Sequence, residues 1–202
     1  MIYKLIGLNQ EDLYKKVGNI LNKVAESMEK KNDAELVSQY QPEDNGQDKR
    51  LLDDAFKVAV KKAMRFMSAY INNNVTDITL DPHYLSLTRV AGSSGIITIN
   101  TDGAWMLTVS ESSTGTPNTY FIPLVFPNTW HDIDVLNDNV EDFVTHQMIA
   151  TYLESVDKAQ AAWYSQKAED IGHDIKTMCA TRKPGTRFYV SSPFGENPYR
   201  RY

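Results

Sequence analysis

Leu153-Glu154-Ser155-Val156-Asp157-Lys158-Ala159, LESVDKA, marks the point where two apolar stripes meet out of phase. Upstream, Val140, Phe143, Val144, Met148, Tyr152 and Val156 recur every three to four residues, with Asp138 and Asn139 placed to cap them. Downstream, Ala159, Trp163, Ala168, Ile171, Ile175, Met178 and Arg182 trace a second stripe. Read straight through, the region is one helix of roughly 43 residues, far above the average length of a globular helix. Read with a turn over Ser155–Lys158, it is a helical hairpin, and the phase break favours the hairpin. Lys183-Pro184-Gly185 then stops the second helix.

Two more helices are expected toward the N-terminus. Asn9 precedes Gln10-Glu11-Asp12 and the apolar series Leu13, Val17, Ile20, Leu21 and Val24, a capped helix running to about Lys30. Residues 32–49, with Pro42, Asn45 and Gly46 among charges, read as at most a short helical piece followed by a loop. From Lys49 to Asn73 an apolar face of Leu52, Ala55, Phe56, Ala59, Val60, Ala63, Phe66, Met67 and Tyr70 returns, with Lys57, Lys61, Lys62 and Arg65 mostly off it.

The period then shifts from about 3.6 to 2. Trp105, Leu107 and Val109 share one face of a strand over Ala104–Ser110, and Ile96-Ile97-Thr98-Ile99 precedes it through Asn100-Thr101-Asp102-Gly103, a favoured hairpin turn. With Tyr84–Val90 before the Gly92–Gly95 turn and Thr119–Phe126 after a loose loop, a small antiparallel sheet is expected within 78–126. The fold class is therefore α+β: a bundle of long amphipathic helices with an inserted antiparallel sheet and an extended C-terminal arm. The divisions are 1–77 and 127–183 for the helices, 78–126 for the β insertion and 184–202 for the arm. The turn-bounded insertion is expected to be a separable contact module, so that a linker in place of residues 80–124 leaves the helices folded.

At 202 residues and 42% hydrophobic, the chain can bury one substantial core. A net charge of −5 and a pI near 5.4 argue against wholesale nucleic-acid binding. The charge is unevenly placed: from Arg182 onward, Arg182, Lys183, Arg187, Arg200 and Arg201 face only Glu196, a net +4, which leaves −9 on residues 1–181. A single cysteine, Cys179, forms no intrachain disulfide and suits a reducing compartment. The run Met1–Gly7 is too short for a secretion signal, and no stretch approaches the ~18 apolar residues of a membrane span.

Ile171-Gly172-His173-Asp174-Ile175-Lys176-Thr177-Met178-Cys179 gathers the residue types of a catalytic or metal site. On one helix, however, six residues leave His173 and Cys179 about 120° apart, out of reach of a nucleophile–base bond. Cys179 then reads as a small apolar residue on the Ile175–Met178 face and His173 as a solvated one. His146 followed by His173-Asp174 resembles the opening of the HD phosphohydrolase signature, but no aspartate follows Asp174 to complete it. His131-Asp132 sits in a Trp/Pro-rich loop. The carboxylates Asp132, Asp134, Asp138, Glu141 and Asp142 suit a helix N-terminus as well as a cation. Phosphate-loop, dinucleotide, CxxC, HExxH and nucleophile-elbow motifs do not occur. No catalytic residue, metal ligand or cofactor is assigned.

The closing helix, with Ala161-Ala162-Trp163-Tyr164-Ser165-Gln166-Lys167-Ala168-Glu169-Asp170 followed by Arg182-Lys183-Pro184-Gly185-Thr186-Arg187, resembles the head-to-tail connector (neck, portal-adaptor) proteins of tailed bacteriophages. The likeness is to the larger connectors of phages and prophages of Bacteroides-type hosts, including crAss-like phages, and it covers residues 48–73 and 137–187. The resemblance implies a non-enzymatic virion protein: a ring of twelve copies beneath the portal, assembled in the host cytoplasm, with a channel through which DNA passes without sequence-specific binding. The portal and other neck or tail proteins are the implied partners, and no membrane is involved. The β insertion departs from compact connectors. Two other classes stay open: an enzyme or regulator with a pocket between sheet and helices near Trp105, Trp130 and His131, and a monomeric interaction module using the sheet face.

The arm carries the expected contacts. Five aromatics in a basic, aperiodic segment are too few to fold alone and suit grooves and acidic rims on a partner. The contact residues are Arg187, Phe188, Tyr189, Phe194, Tyr199, Arg200, Arg201 and Tyr202.

Overall fold

The computed structural model describes residues 1–29, 46–72, 96–100, 106–110, 119–127 and 133–180. In chain order these form β1 (Ile2–Asn9), α1 (Gln10–Glu29), α2 (Gly46–Phe66), β2 (Ile96–Asn100), β3 (Met106–Ser110), β4 (Thr119–Phe126), α3 (Ile133–Leu153) and α4 (Lys158–Ala180). The fold is α+β: the described residues form four helices and one antiparallel sheet ordered β1-β4-β3-β2. Residues 184–202, the Tyr84–Val90 strand, His83, Trp105, Trp130 and His131-Asp132 lie outside the described residues.

The hairpin expected from the phase break is present. α3 ends at Leu153, and the Val156 and Asp157 amides bond back to the Leu153 carbonyl at 3.0 and 2.8 Å. Asp157 then caps α4, its Oδ1 accepting from the Ala159 and Gln160 amides at 2.9 and 3.1 Å. Asp138 and Asn139 do not cap α3, which starts at Ile133; they lie in its second turn. At the other end of the chain Asn9 caps α1 as expected, accepting from the Glu11 and Asp12 amides at 3.0 and 3.3 Å.

The N-terminal strand is the element that sequence patterning missed. β1 pairs with β4 along its whole length, placing Ile2, Lys4, Ile6 and Leu8 opposite Phe126, Leu124, Ile122 and Tyr120 on one face. Ile6, Leu8, Ile122, Leu124 and Phe126 are buried there, while Lys4 in the middle breaks the alternation that would have announced a strand. The free side of β1 is guarded: Asn137 Oδ1 on α3 accepts the Gly7 amide at 2.9 Å.

On its other side β4 meets β3 at Leu107↔Phe121 and Thr108↔Tyr120, and then the segment after α2 at Ile71↔Leu124. That second contact explains why α2 stops at Phe66 instead of reaching Asn73: the chain must turn to pair with β4. The Asn72 amide donates to the Pro123 carbonyl at 3.0 Å, and the Val125 amide donates to the Tyr70 carbonyl at 2.8 Å. A residue's N and C=O point the same way in a strand, so the N–H that Pro123 lacks would face this short segment. The pairing with β1 loses nothing. β2 and β3 pair from Ile96↔Ser110 to Asn100↔Met106; Ala104, Trp105 and the expected Asp-Gly turn lie outside the described residues.

α3 is the hub. It packs against α1, α2, α4 and β1. Between Phe143 and Ala150 every residue except His146 is buried. α4 lies along it through Ala161, Tyr164, Ala168, Gly172, Ile175 and Cys179, a buried row in which four of six residues are small. Gly172 sits where α2 crosses: a Cβ there would lie 2.5 Å from Cε2 and Cζ of Phe66, whose ring stands edge-on to Phe143 at 5.4 Å and His173 at 6.0 Å.

Two predictions follow from this packing. β4 belongs to the core of the helical body, so the separability expected of the insertion does not extend to it. Replacing residues 80–124 with a Gly/Ser linker removes Ile122 and Leu124, at about 2–5 kcal/mol each, and strands β1. Total stabilities are on the order of 5–15 kcal/mol, so circular dichroism should show no cooperative melt; a wild-type-like melt would place the sheet outside the core. Gly172→Ala should destabilise, because overpacking of about 1–3 kcal/mol outweighs a helix-propensity gain of at most ~1 kcal/mol. In a Phe66→Ala background the same substitution should become stabilising, a change of sign that urea denaturation reads directly.

Candidate assembly surfaces

The stretch that looked most chemical is a packing element. In α4, Ile175 and Cys179 point into the core, and His173 and Asp174 are exposed. Cys179 is 3% exposed, and burial pushes its thiol up to about 12. His146 lies on α3, its Nδ1 2.6 Å from the Asp142 carbonyl oxygen and its ring beside Tyr164 at 5.9 Å. Tyr164 and His173 are nine residues apart, roughly 13 Å along the helix, so His146 does not join His173 at one point. Among the described residues no group of three His, Cys, Asp or Glu side chains could hold a metal ion. No described helix is long and apolar enough to cross a membrane.

A polar knot fastens α1 to α2. The Tyr14 hydroxyl donates to Asp53 Oδ1, and Gln10 Nε2 reaches the Tyr14 hydroxyl and Asp53 Oδ1, the latter at 3.0 Å. Burial, followed by the bond to Asp53, pushes the Tyr14 phenol well above its ordinary range. Burial and then the Asp53 charge push Tyr120 up as well. Both phenols stay protonated at neutral pH, Tyr14 as the donor to Asp53, and Phe56 packs between the two rings at 6.3 and 4.9 Å. A second tie joins α1 to α3: Lys16 Nζ lies 2.5 Å from Glu141 Oε2, and Asn137 Nδ2 donates to Glu141 Oε1 at 3.2 Å. The bond to Glu141 raises the Lys16 pKa, burial opposing it.

What remains outside these ties is charge sorted by helix. α2 exposes Arg50, Lys57, Lys61 and Arg65 along one side, with Asp54 among them and Leu51 and Val58 beside them, 52% and 43% exposed. α3 exposes Asp134, Asp138 and Asp142, with Val135 beside them at 45%. α4 exposes Trp163 with Lys167 Nζ 5.2 Å from its ring centre. The eight residues expected as partner contacts, Arg187 to Tyr202, follow the last described residue of α4 and are not among those described. From sequence, Lys57, Lys61, Lys62 and Arg65 fall mostly off the apolar face of α2 and the acids of α3 suit a helix N-terminus; the signal that both form rows lies in their shared four-residue spacing. The chain matches no protein-family model, no curated protein and no solved structure.

Because the Cys179 thiol is buried, it should resist a disulfide reagent at pH 8 in the native protein and react at once in denaturant. Its folded pKa lies above the ordinary 9.0. This thiol therefore contributes no pH dependence below 9, and the stability tied to it falls as pH rises from 9 toward about 12. Stoichiometric labelling of native protein within seconds would contradict the buried placement.

Proposed function

We propose that the chain is a non-enzymatic structural protein of a tailed-phage virion or prophage, one subunit of an oligomeric ring at the head–tail neck beside the portal. The observation that carries this reading is the hairpin α3–α4. The Ala161/Tyr164/Ala168 spacing that underlies the resemblance to connectors is its buried seam, and the basic run Arg182–Arg187 begins two residues after α4 ends. A rigid hairpin handing the chain to a basic, aromatic segment supports a subunit that stands in a ring and reaches a neighbour. In this reading the protein assembles in the host cytoplasm and ends in the virion neck. Its partners are further copies, the portal and other neck or tail proteins. DNA passes the channel without sequence-specific contact, and net negative charge on residues 1–181 supports passage, since a repulsive wall does not retain the duplex.

Truncation after Lys183 tests the reading. α4 is complete in that chain, so the unfolding free energy should change by no more than about 0.5 kcal/mol, while ring formation or docking onto portal is lost in electron micrographs. Charge reversal at Arg187, Arg200 and Arg201 should weaken the same contact in a salt-dependent way. A truncated chain that still forms rings and still supports particle assembly would remove the arm from the mechanism.

A further inference from the structure

Three cations on α2, Lys57, Lys61 and Arg65, stand at i, i+4 and i+8 and are exposed. Three carboxylates on α3, Asp134, Asp138 and Asp142, stand at the same spacing and are also exposed. Each row spans roughly 12 Å of helix. Like charges four residues apart on a helix repel, so each row is unfavourable in the isolated subunit. Helix dipoles account for one member of each row: Asp134 lies in the first turn of α3 and Arg65 in the last turn of α2. The effect fades beyond the terminal turn, leaving Asp138, Asp142, Lys57 and Lys61 unexplained by it. Internal charges meet the rows only in part: Lys16, bonded to Glu141, also feels Asp142 and Asp138, and Lys57 has a loose contact at 3.9 Å with Asp54 on its own helix, the only ion pair to either row among the described residues.

We propose that copies of this chain associate head to tail, the Lys57–Lys61–Arg65 row of one copy seated against the Asp134–Asp138–Asp142 row of the next. The two rows are opposite in sign and equal in number and pitch, and each carries an exposed valine at its flank, Val58 and Val135, that a contact would cover. Both rest on helices whose opposite sides are packed in the core, so the spacing is fixed before association. Repeated head to tail, the contact closes a ring or runs on as a filament, whereas a two-fold arrangement, in which each row meets the other across the axis, stops at a dimer. The proposal rests on the ring reading above and names the surfaces that would build the ring.

The test uses the full chain and reads association by sedimentation at low salt. Wild type should form species larger than dimers, and added salt should dissociate them. The basic-row variant Lys57→Glu/Lys61→Glu and the acidic-row variant Asp138→Lys/Asp142→Lys should each be monomeric while melting like wild type. An equimolar mixture of the two should associate again, because each supplies the charge its neighbour now needs. One chain carrying all four reversals should associate alone. If a reversed chain misfolds, the neutral variant Lys57→Gln/Lys61→Gln should still weaken association by about tenfold or more. The proposal is overturned if wild type is monomeric, if either single-row variant associates like wild type, or if the mixture stays monomeric. It is equally overturned if reversing the basic row spares association and removes binding to duplex DNA, or if reversing the acidic row matters only while residues 184–202 are present. Wild-type rings in particles despite such a failure would leave the neck reading in place with a different interface; absence from particles would remove both.

Discussion

Burial of α3 between Phe143 and Ala150, where every residue except His146 is buried, is the constraint from which the architecture follows. A segment buried around its circumference cannot be satisfied by one neighbour, and α3 packs against α1, α2, α4 and the strand β1. The sheet is therefore a wall of the core. Its core face is built by β1 and β4, whose Ile6, Leu8, Ile122 and Leu124 are all 0% exposed. The enclosure has one polar flaw, Gln147 Oε1, which is buried and without a hydrogen-bond partner among the described residues. Such a group costs on the order of 1–3 kcal/mol, and the structure offers no compensation for it.

The seam between α3 and α4 shows how a pattern that suggests a family can be a statement about packing. Ala161, Ala168, Gly172 and Cys179 keep the buried side of α4 narrow, letting the helix lie close to α3, and at Gly172 letting the Phe66 ring of α2 enter. The histidine and aspartate that made the same stretch look catalytic fall on its outward side because 3.6-residue periodicity puts them there. Residue types gathered within nine positions of sequence are divided by the helix into core and solvent.

The helices were legible because their signals are local. Asn9 and Asp157 cap, apolar residues recur, and the phase break at LESVDKA marks a turn. The start of α3 was misplaced because Asp138 and Asn139 are cap-like residues used in a second turn, where Asp138 faces solvent. β1 was not legible, since Lys4 interrupts its inward face and its partner β4 lies more than a hundred residues away. The end of α2 was hidden for the same reason: the Ile71↔Leu124 bridge is a long-range pairing that overrides an apolar stripe running on to Tyr70. For the candidate surfaces, composition could show that the C-terminal segment is basic. Only the fold shows that the rows on α2 and α3 both escape the core.

A net charge of −5 conceals this sorting, because sums over a chain erase position. Interspersed charges make a surface soluble and indifferent, whereas single-sign rows set up fields that orient a partner before contact. Here the internal ion pairs tie off some of the mixed charge, Lys15 with Asp12 on α1 and Lys16 with Glu141 between α1 and α3, and leave the rows on α2 and α3 outward. Exposed pairs of this kind contribute at most about 1 kcal/mol each, so charge sorting adds little to the stability of the fold. Its consequence lies at the surface: the core takes the inner sides of α2 and α3 and leaves both rows exposed, as the proposed contact between copies requires.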